Sequence, residues 1–364
     1  MKIKDIVDAL EKFAPLPLQD GFDNSGLQVG TTEVEVTGAL LCLDVTEEVI
    51  DEAISNNCNL IVSHHPLFFH PLKRLVGDDY VQRCVMKAVK NDIVLYASHT
   101  NMDNASGGMN YLIADKLGLT PLHPLVSAKN MLLKLVTFVP LAQADDVKNA
   151  LFKAGCGCIG NYDSCSYNVE GDGTFRALDG THPFCGKIGE HHVEREVRVE
   201  TILPAYLKSK VTRALLESHP YEEPAFDFYT LANSWSQAGD GLLAEYEQPM
   251  DDIDFIKLVK NVFHVECVQY NVLSGKKIKK VALCGGAGAS FIGDAIHCRA
   301  DVFLTGEIKY HEFFGFEKQI MLMAIGHYQS EQYIGEVFKK IILGKAPHLN
   351  VVITEINTNP IKYF

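Results

Sequence analysis

The feature that most constrains this chain is a repeated local grammar, in which a short apolar run ends abruptly at polar residues and a helical pattern follows. Candidate strands are Ala39–Leu43, Leu60–Ser63, Ile93–Ser98, Lys280–Cys284, Val302–Thr305 and Ile320–Ile325. The helical patterns run over Glu47–Asn56, Tyr80–Asn91, Asn110–Leu117, Ser290–Arg299, Glu307–Phe316 and Glu331–Leu343. Apolar runs bounded by turn residues and alternating with helices are how parallel βαβ units read, so the main core is expected to be α/β and doubly wound. At the N-terminus Ile3, Ile6, Val7, Leu10 and Phe13 follow the spacing of an amphipathic helix rather than the apolar core of a signal peptide.

Between about Ser127 and Trp235 the rhythm changes. Strand-like stretches at Leu132–Val139 and Val193–Leu203 alternate with helices near Asp145–Ala154 and Pro204–Ser218. That mixture reads as an inserted α+β module at 127–235, splitting the main core into 1–126 and 236–364. A chain of 364 residues accommodates both.

The net charge of -13 argues against non-specific nucleic-acid binding, which needs a positive surface to neutralise phosphates. No apolar run approaches the roughly 18 residues of a membrane span. Ten scattered cysteines without an export signal are read as reduced thiols, and the expected location is cytoplasmic. Cys156, Cys158, Cys165 and Cys185 form the only dense group, without a Cys-x-x-Cys pair; small buried or loop thiols are the preferred reading over a zinc site.

The strand ends carry the chemistry. His64 and His65 follow Leu60–Ser63, and Pro66 stops the strand from continuing. Adjacent strand residues point to opposite faces, so the two imidazoles can share a site only if the chain turns between them. Ile93–Ser98 runs into His99-Thr100-Asn101-Met102-Asp103, and Met321–Ile325 runs into Gly326-His327-Tyr328-Gln329-Ser330-Glu331. His327 and Glu331, four apart, share one face of a helix beginning there. Ligands of open α/β sheets bind at this carboxyl edge. His64, His65, Asp103, His327 and Glu331 are therefore the expected metal ligands, enough for two metals, with Asp103 and Glu331 as the bridging candidates. Imidazole and carboxylate donors suit zinc first, with iron, manganese or cobalt as alternatives.

Other polar positions are more open. His99 reads as a partner of the ligands or a substrate contact. Gly285, Gly286 and Gly288 join a strand to a helix, where backbone amides could hold an anion or simply make a tight turn; the lysine of a P-loop is missing. Glu307 and His311, again four apart, read as general acid or base groups, or Glu307 as a helix-start carboxylate. Asp23–Gly30 is rich in turn residues and would be ordinary on a surface.

These segments together resemble the Nif-three-like family, also catalogued as GTP cyclohydrolase I type 2. The resemblance is carried by Asp23 to Gly30, His64-His65-Pro66, Thr100 to Asp103, Gly285 to Ser290, Thr305-Gly306-Glu307 and Gly326 to Glu331, in the family's order. It implies that the five residues named above ligate two divalent cations per subunit, in a toroidal homohexamer. Tyr310 departs from the histidine often found before His311. The middle segment resembles the PII-like or CutA-like insertion of longer members, through Gly160-Asn161-Tyr162, Cys165-Ser166 and His219 to Asp227, which implies a ferredoxin-like module. Within the last stretch His219, Glu222 and Glu223 read as structural rather than as a further metal site. The implied activity is hydrolysis of a phosphorylated, nucleotide-like small molecule. In its sharpest form this is opening of the guanine imidazole ring of GTP, with release of formate, to give 7,8-dihydroneopterin triphosphate. The alternative is a non-catalytic metal-binding, regulatory or metal-handling assembly.

Overall fold

The structure is a computed structural model that describes residues 1–362. It divides into two compact units, Met1–Ser127 with Gln237–Phe364, and Ala128–Ser236.

In the first unit the parallel strands are shared between two sheets. One has Val351–Ile353, Ala39–Cys42, Leu60–Ser63 and Val94–Ala97 side by side and parallel, closed at the edge by antiparallel Gly26–Val29. The other sets Ile278–Cys284, Val302–Thr305 and Met321–Ala324 in parallel. Antiparallel strands flank these three: Gln269–Tyr270 on one side, Leu242–Met250 and Thr120–His123 on the other. The central strands are buried along their whole length, as strands covered by helices on both faces must be.

Local chemistry explains the connecting helices. Glu47–Ser55 starts where the Thr46 hydroxyl accepts from Val49 N–H, and Tyr80–Lys90 where the Asp79 carboxylate accepts from Gln82 N–H. Their apolar faces pack on the first sheet: Val49, Ile50, Ala53, Cys84, Val85 and Ala88 join Leu40, Ile61 and Leu95 in one buried cluster. Ile3–Phe13 is helical as its spacing predicts, with Ile3, Ile6, Val7 and Leu10 buried and Phe13 partly exposed.

Two expected helices differ. Glu307–Phe316 contains only a 3-10 turn at Tyr310–Phe313, with Phe314 extended and Gly315 in the left-handed region. Glu331 does not begin a helix; it ends the short helix His327–Glu331, and Ile334–Lys345 follows. Periodicity marked the apolar face there but not the break.

The Ala128–Ser236 unit runs strand Leu132–Pro140, helix Ala144–Ala154, strands Ser166–Arg176 and His191–Pro204, helix Lys208–Ser218 and strand Phe226–Thr230. In space the strands lie fourth, first, third, second, all antiparallel, which is the ferredoxin-like split βαβ arrangement. Its core is closed by Leu135, Val139, Val147, Leu151, Val199, Leu203, Val211 and Leu215. Cys156 belongs to this core, an apolar thiol rather than a ligand.

Candidate metal centre

Every expected ligand lies just beyond the carboxyl end of a parallel strand, where the chain leaves the sheet and its side chains are free to converge. His64 and His65 remain anchored to the neighbouring strand, their amides donating to Cys42 and Leu43 carbonyls, while the backbone bends. That bend sets the two rings 5.1 Å apart on the same side, despite their adjacency in sequence. Asp103 sits on the short helix Thr100–Asn104 beyond the first sheet, and His327 and Glu331 on the short helix beyond the second. The site therefore gathers donors from both sheets of the first unit.

Glu331 is its centre. His65 Nε2 lies 3.1 Å and His327 Nε2 3.3 Å from Glu331 Oε2, and the two nitrogens are 3.3 Å apart. On the other oxygen, His64 Nε2 is 3.8 Å from Glu331 Oε1 and 3.5 Å from Asp103 Oδ1.

The far nitrogens of the three rings fix their protonation. His64 Nδ1 faces the Ser98 carbonyl at 3.0 Å, and a carbonyl only accepts, so this nitrogen carries the hydrogen. His65 Nδ1 meets Asp44 Oδ1 at 2.7 Å and His327 Nδ1 meets Glu307 Oε1 at 3.2 Å, both again acceptors. In its neutral form each ring would then turn an Nε2 lone pair toward carboxylate oxygens. Among the described residues His64 Nε2 and Asp103 Oδ1 are buried with no hydrogen-bond partner. Leaving such atoms unsatisfied costs roughly 1–3 kcal/mol each, and a cation between them removes the cost. The donor set thus fits divalent-cation chemistry, with each ring aligned by an acceptor behind it.

The charges agree. Burial opposes a proton on His65, yet Asp44 and Glu331 outweigh it and push that ring up to about 10. Burial disfavours charge on Glu331 as well, but the imidazoles of His327, His64 and His65 around it hold its carboxyl well below the usual range. Asp103 goes the other way, raised by burial and by the Glu331 charge. Carboxylates packed against imidazoles in this way favour positive charge among them.

His99 joins the group. Its ring lies 5.2 Å from His64 and 5.3 Å from His65, and a nitrogen of each falls in one close set. Asp23 Oδ1 holds His99 Nδ1 at 2.8 Å, while Asp23 Oδ2 accepts from Thr100 and from the Ser25 hydroxyl at 2.8 Å. The Asp23 side chain is fully enclosed, so the segment expected as an ordinary surface loop is an internal support.

Of the two readings of the glycine loop, an anion contact or a tight turn, the amide partners favour the turn. Gly285 N–H donates to Asn110, Gly286 N–H to Ser330 and Gly288 N–H to Thr305, at 3.0, 3.0 and 2.9 Å, so those amides are committed. A Cβ on Gly286, whose φ is +62°, would stand 2.5 Å from Glu331 Oε1. The glycine makes room for the central carboxylate. Glu307 is in the site through His327, but His311 is not joined to it: without the expected helix, His311 meets Tyr310 edge-on at the exposed surface. Asp44 was missed by sequence reading, although it too follows a strand end, that of Ala39–Cys42.

The sequence profile described as Duf34/NIF3 (NGG1p interacting factor 3) matches residues 1–360. The chain belongs to the Duf34/NIF3 family. Among its relatives, the GTP cyclohydrolase 1 type 2 homolog of Halalkalibacterium halodurans is 37% identical over 363 residues, 98% of each chain. The Bacillus subtilis protein of the same name is 34% identical over 369 residues, covering 99% of this chain and 98% of its own. The solved Bacillus cereus protein related to NIF3 superposes over 100% of this chain and 99% of its own, with a TM-score of 0.87 and 35% identity. Within this family fold, the strand-end site lies wholly in the split α/β unit. Among the described residues no helix is long and apolar enough to cross a membrane.

Proposed function

We propose that this Duf34/NIF3 protein is a metal-dependent hydrolase of a phosphorylated, nucleotide-like heterocycle, with two divalent cations held by His64, His65, Asp103, His327 and Glu331. The observation that carries this reading is the division of labour at Glu331. Oε2 faces His65 and His327, and Oε1 faces His64 beside Asp103, an arrangement that supports a carboxylate shared by two cations. Bound cations would supply a hydroxide near neutral pH and an electrostatic sink for charge developing on the substrate.

The remaining work falls to the protein. Asp44, Glu307 and the Ser98 carbonyl hold the imidazoles in the tautomer that keeps their Nε2 lone pairs facing inward. Glu307, its side chain about half exposed at 54%, stands at the rim within reach of His327 and is placed to exchange protons with solvent. His99, locked by Asp23, offers its other nitrogen to a leaving or attacking group beside His64 and His65.

The names of the relatives supply the sharper substrate, GTP, whose imidazole ring would open with loss of formate. The test is to incubate metal-loaded protein with GTP and a panel of phosphorylated heterocycles, following pterin fluorescence and formate. Asp103→Ala and Glu331→Ala serve as controls, each expected to lose bound metal and turnover together. Turnover of another heterocycle but not GTP would keep the hydrolase and discard the cyclohydrolase; no turnover at full metal occupancy would leave a metal-binding regulatory assembly. The homohexamer belongs to the same reading, and light scattering should then return six times the chain mass.

A further inference from the structure

A second set of metal-type donors lies in the Ala128–Ser236 unit, away from every residue used so far. His192, Glu194 and Glu196 alternate along the strand His191–Pro204, and a two-residue period turns all three to one face of the sheet. Cys185 reaches them from the loop 177–190 that joins the two longest strands. The Cys185 thiol, a ring nitrogen of His192 and a carboxylate oxygen of Glu194 all fall within 4.8 Å of one another. His192 Nε2 meets Glu194 Oε2 at 2.8 Å. Cys185 Sγ is 3.8 Å from the Tyr221 hydroxyl, which donates to the buried Glu196 at 2.7 Å.

The loop is shaped for this approach. Gly186 lies at φ +77°, and a Cβ there would stand 2.9 Å from the His192 ring, so only glycine lets residue 185 close on that imidazole. His182 N–H donates to Glu222 at 2.9 Å and ties the loop to the turn after Lys208–Ser218. The His219 ring is spent on that turn, between Phe138 O and Tyr221 N, which makes it structural. Phe175 packs edge-on against His192 at 5.3 Å and fixes its plane.

We propose that Cys185, His192 and Glu194 form a separate metal site in the inserted unit, taking one thiophilic divalent cation of the zinc type. One sulfur, one nitrogen and one oxygen donor would fill three of four tetrahedral positions, and three protein ligands with a fourth left open is the pattern of a zinc site that can take water or a small ligand. Soft thiolate selects zinc over the magnesium and calcium that oxygen-only sites take. Burial and the Glu194 carboxylate keep the thiol protonated in the absence of a cation, so uptake releases a proton. Phe175, Glu196 and Tyr221 also line a cavity of about 670 Å³, which would place a small ligand next to the site. Sequence spacing had set Cys185 beside Cys156, Cys158 and Cys165; the fold gives it nitrogen and oxygen partners instead.

Cobalt(II) titration of the chelator-treated full-length protein tests this. None of the five donors in the split unit is a thiolate, so the part of a near-ultraviolet sulfur-to-cobalt charge-transfer band that Cys185→Ser removes reports on Cys185. The expected result is a band saturating at one equivalent per chain, abolished in Cys185→Ser, weakened at least tenfold in affinity in His192→Ala and unchanged in the exposed Cys158→Ser. Should Cys185→Ser fail to fold, alkylation of Cys185 in the unmutated chain, read by peptide mass with and without Zn²⁺, decides instead, with protection expected. No sulfur–cobalt band, a band that survives Cys185→Ser, or alkylation indifferent to Zn²⁺ would each overturn the assignment.

Discussion

A nitrogen lone pair aimed at a carboxylate has no partner until a proton or a cation stands between them, and His64 Nε2 is such an atom. Its burial makes an unpartnered nitrogen costly, and the hydrogen bond from Nδ1 to Ser98 O prevents the ring from escaping by exchanging tautomers. Asp44 does the same for His65. Asp44→Ala should therefore weaken metal binding by about 10–100-fold while leaving all five ligands in place; competition with a chromophoric chelator measures it, and an unchanged affinity would remove Asp44 from the site. A different residue sets a pH dependence. Burial first, and the neighbouring Asp20 charge next, push Asp240 up to about 6 from 3.8. Because the folded value lies above the unfolded one, the stability this carboxyl contributes is full below about pH 3.8 and is lost as pH rises through about 6. Asp240→Asn should consequently stabilise the protein by about 1 kcal/mol near pH 8, after allowing for its partial solvent exposure, and by almost nothing near pH 4. Urea unfolding at the two pH values checks the sign.

At the scale of elements, the βα rhythm placed the central strands to within a residue or two because a fully buried strand is marked by an unbroken apolar run. Thr46 and Asp79 are legible for a similar reason, since capping is local chemistry. Asp79→Ala removes the acceptor for Gln82 N–H at 2.8 Å and should lower stability, read as a shift in the denaturation midpoint at constant slope. The stretch after Thr305 was not legible. The i, i+4 spacing of Glu307 and His311 suggests a helix, but Glu307 instead reaches across to His327 and Tyr310–Phe313 makes a single 3-10 turn. A tertiary partner there outweighed a weak local preference. The same holds for Gly285 to Gly288, whose composition suits an anion but whose amides are claimed by Asn110, Ser330 and Thr305.

In the whole molecule, the residues of the candidate metal centre lie in Met1–Ser127 and Gln237–Phe364, and the donors of the second proposed site lie in Ala128–Ser236. Val126–Ala128 and Trp235–Asp240 pair in a two-stranded sheet, so the ends that a short linker must join run side by side. Replacing the inserted unit by such a linker should leave a folded protein that binds the cations of the strand-end site and gives no sulfur–cobalt band. Circular dichroism and metal analysis of that variant report both outcomes, and loss of the histidine-bound metal would show the two units to be energetically inseparable.

By itself the sequence determined where the chemistry could gather. Hydrophobic runs ending at His64, at His99 and at Gly326 mark strand ends, so the five candidate donors were readable from residues close to one another along the chain, although the ends belong to two separate sheets. What the tertiary structure decided is which atoms meet. His65 and Glu331 are 266 residues apart, and their 3.1 Å approach, the support of His65 by Asp44, the enclosure of Asp23 behind His99 and the meeting of Cys185 with His192 all depend on how separate segments pack. Local periodicity carries no record of such encounters, because burial and close packing, rather than neighbouring residues, select them.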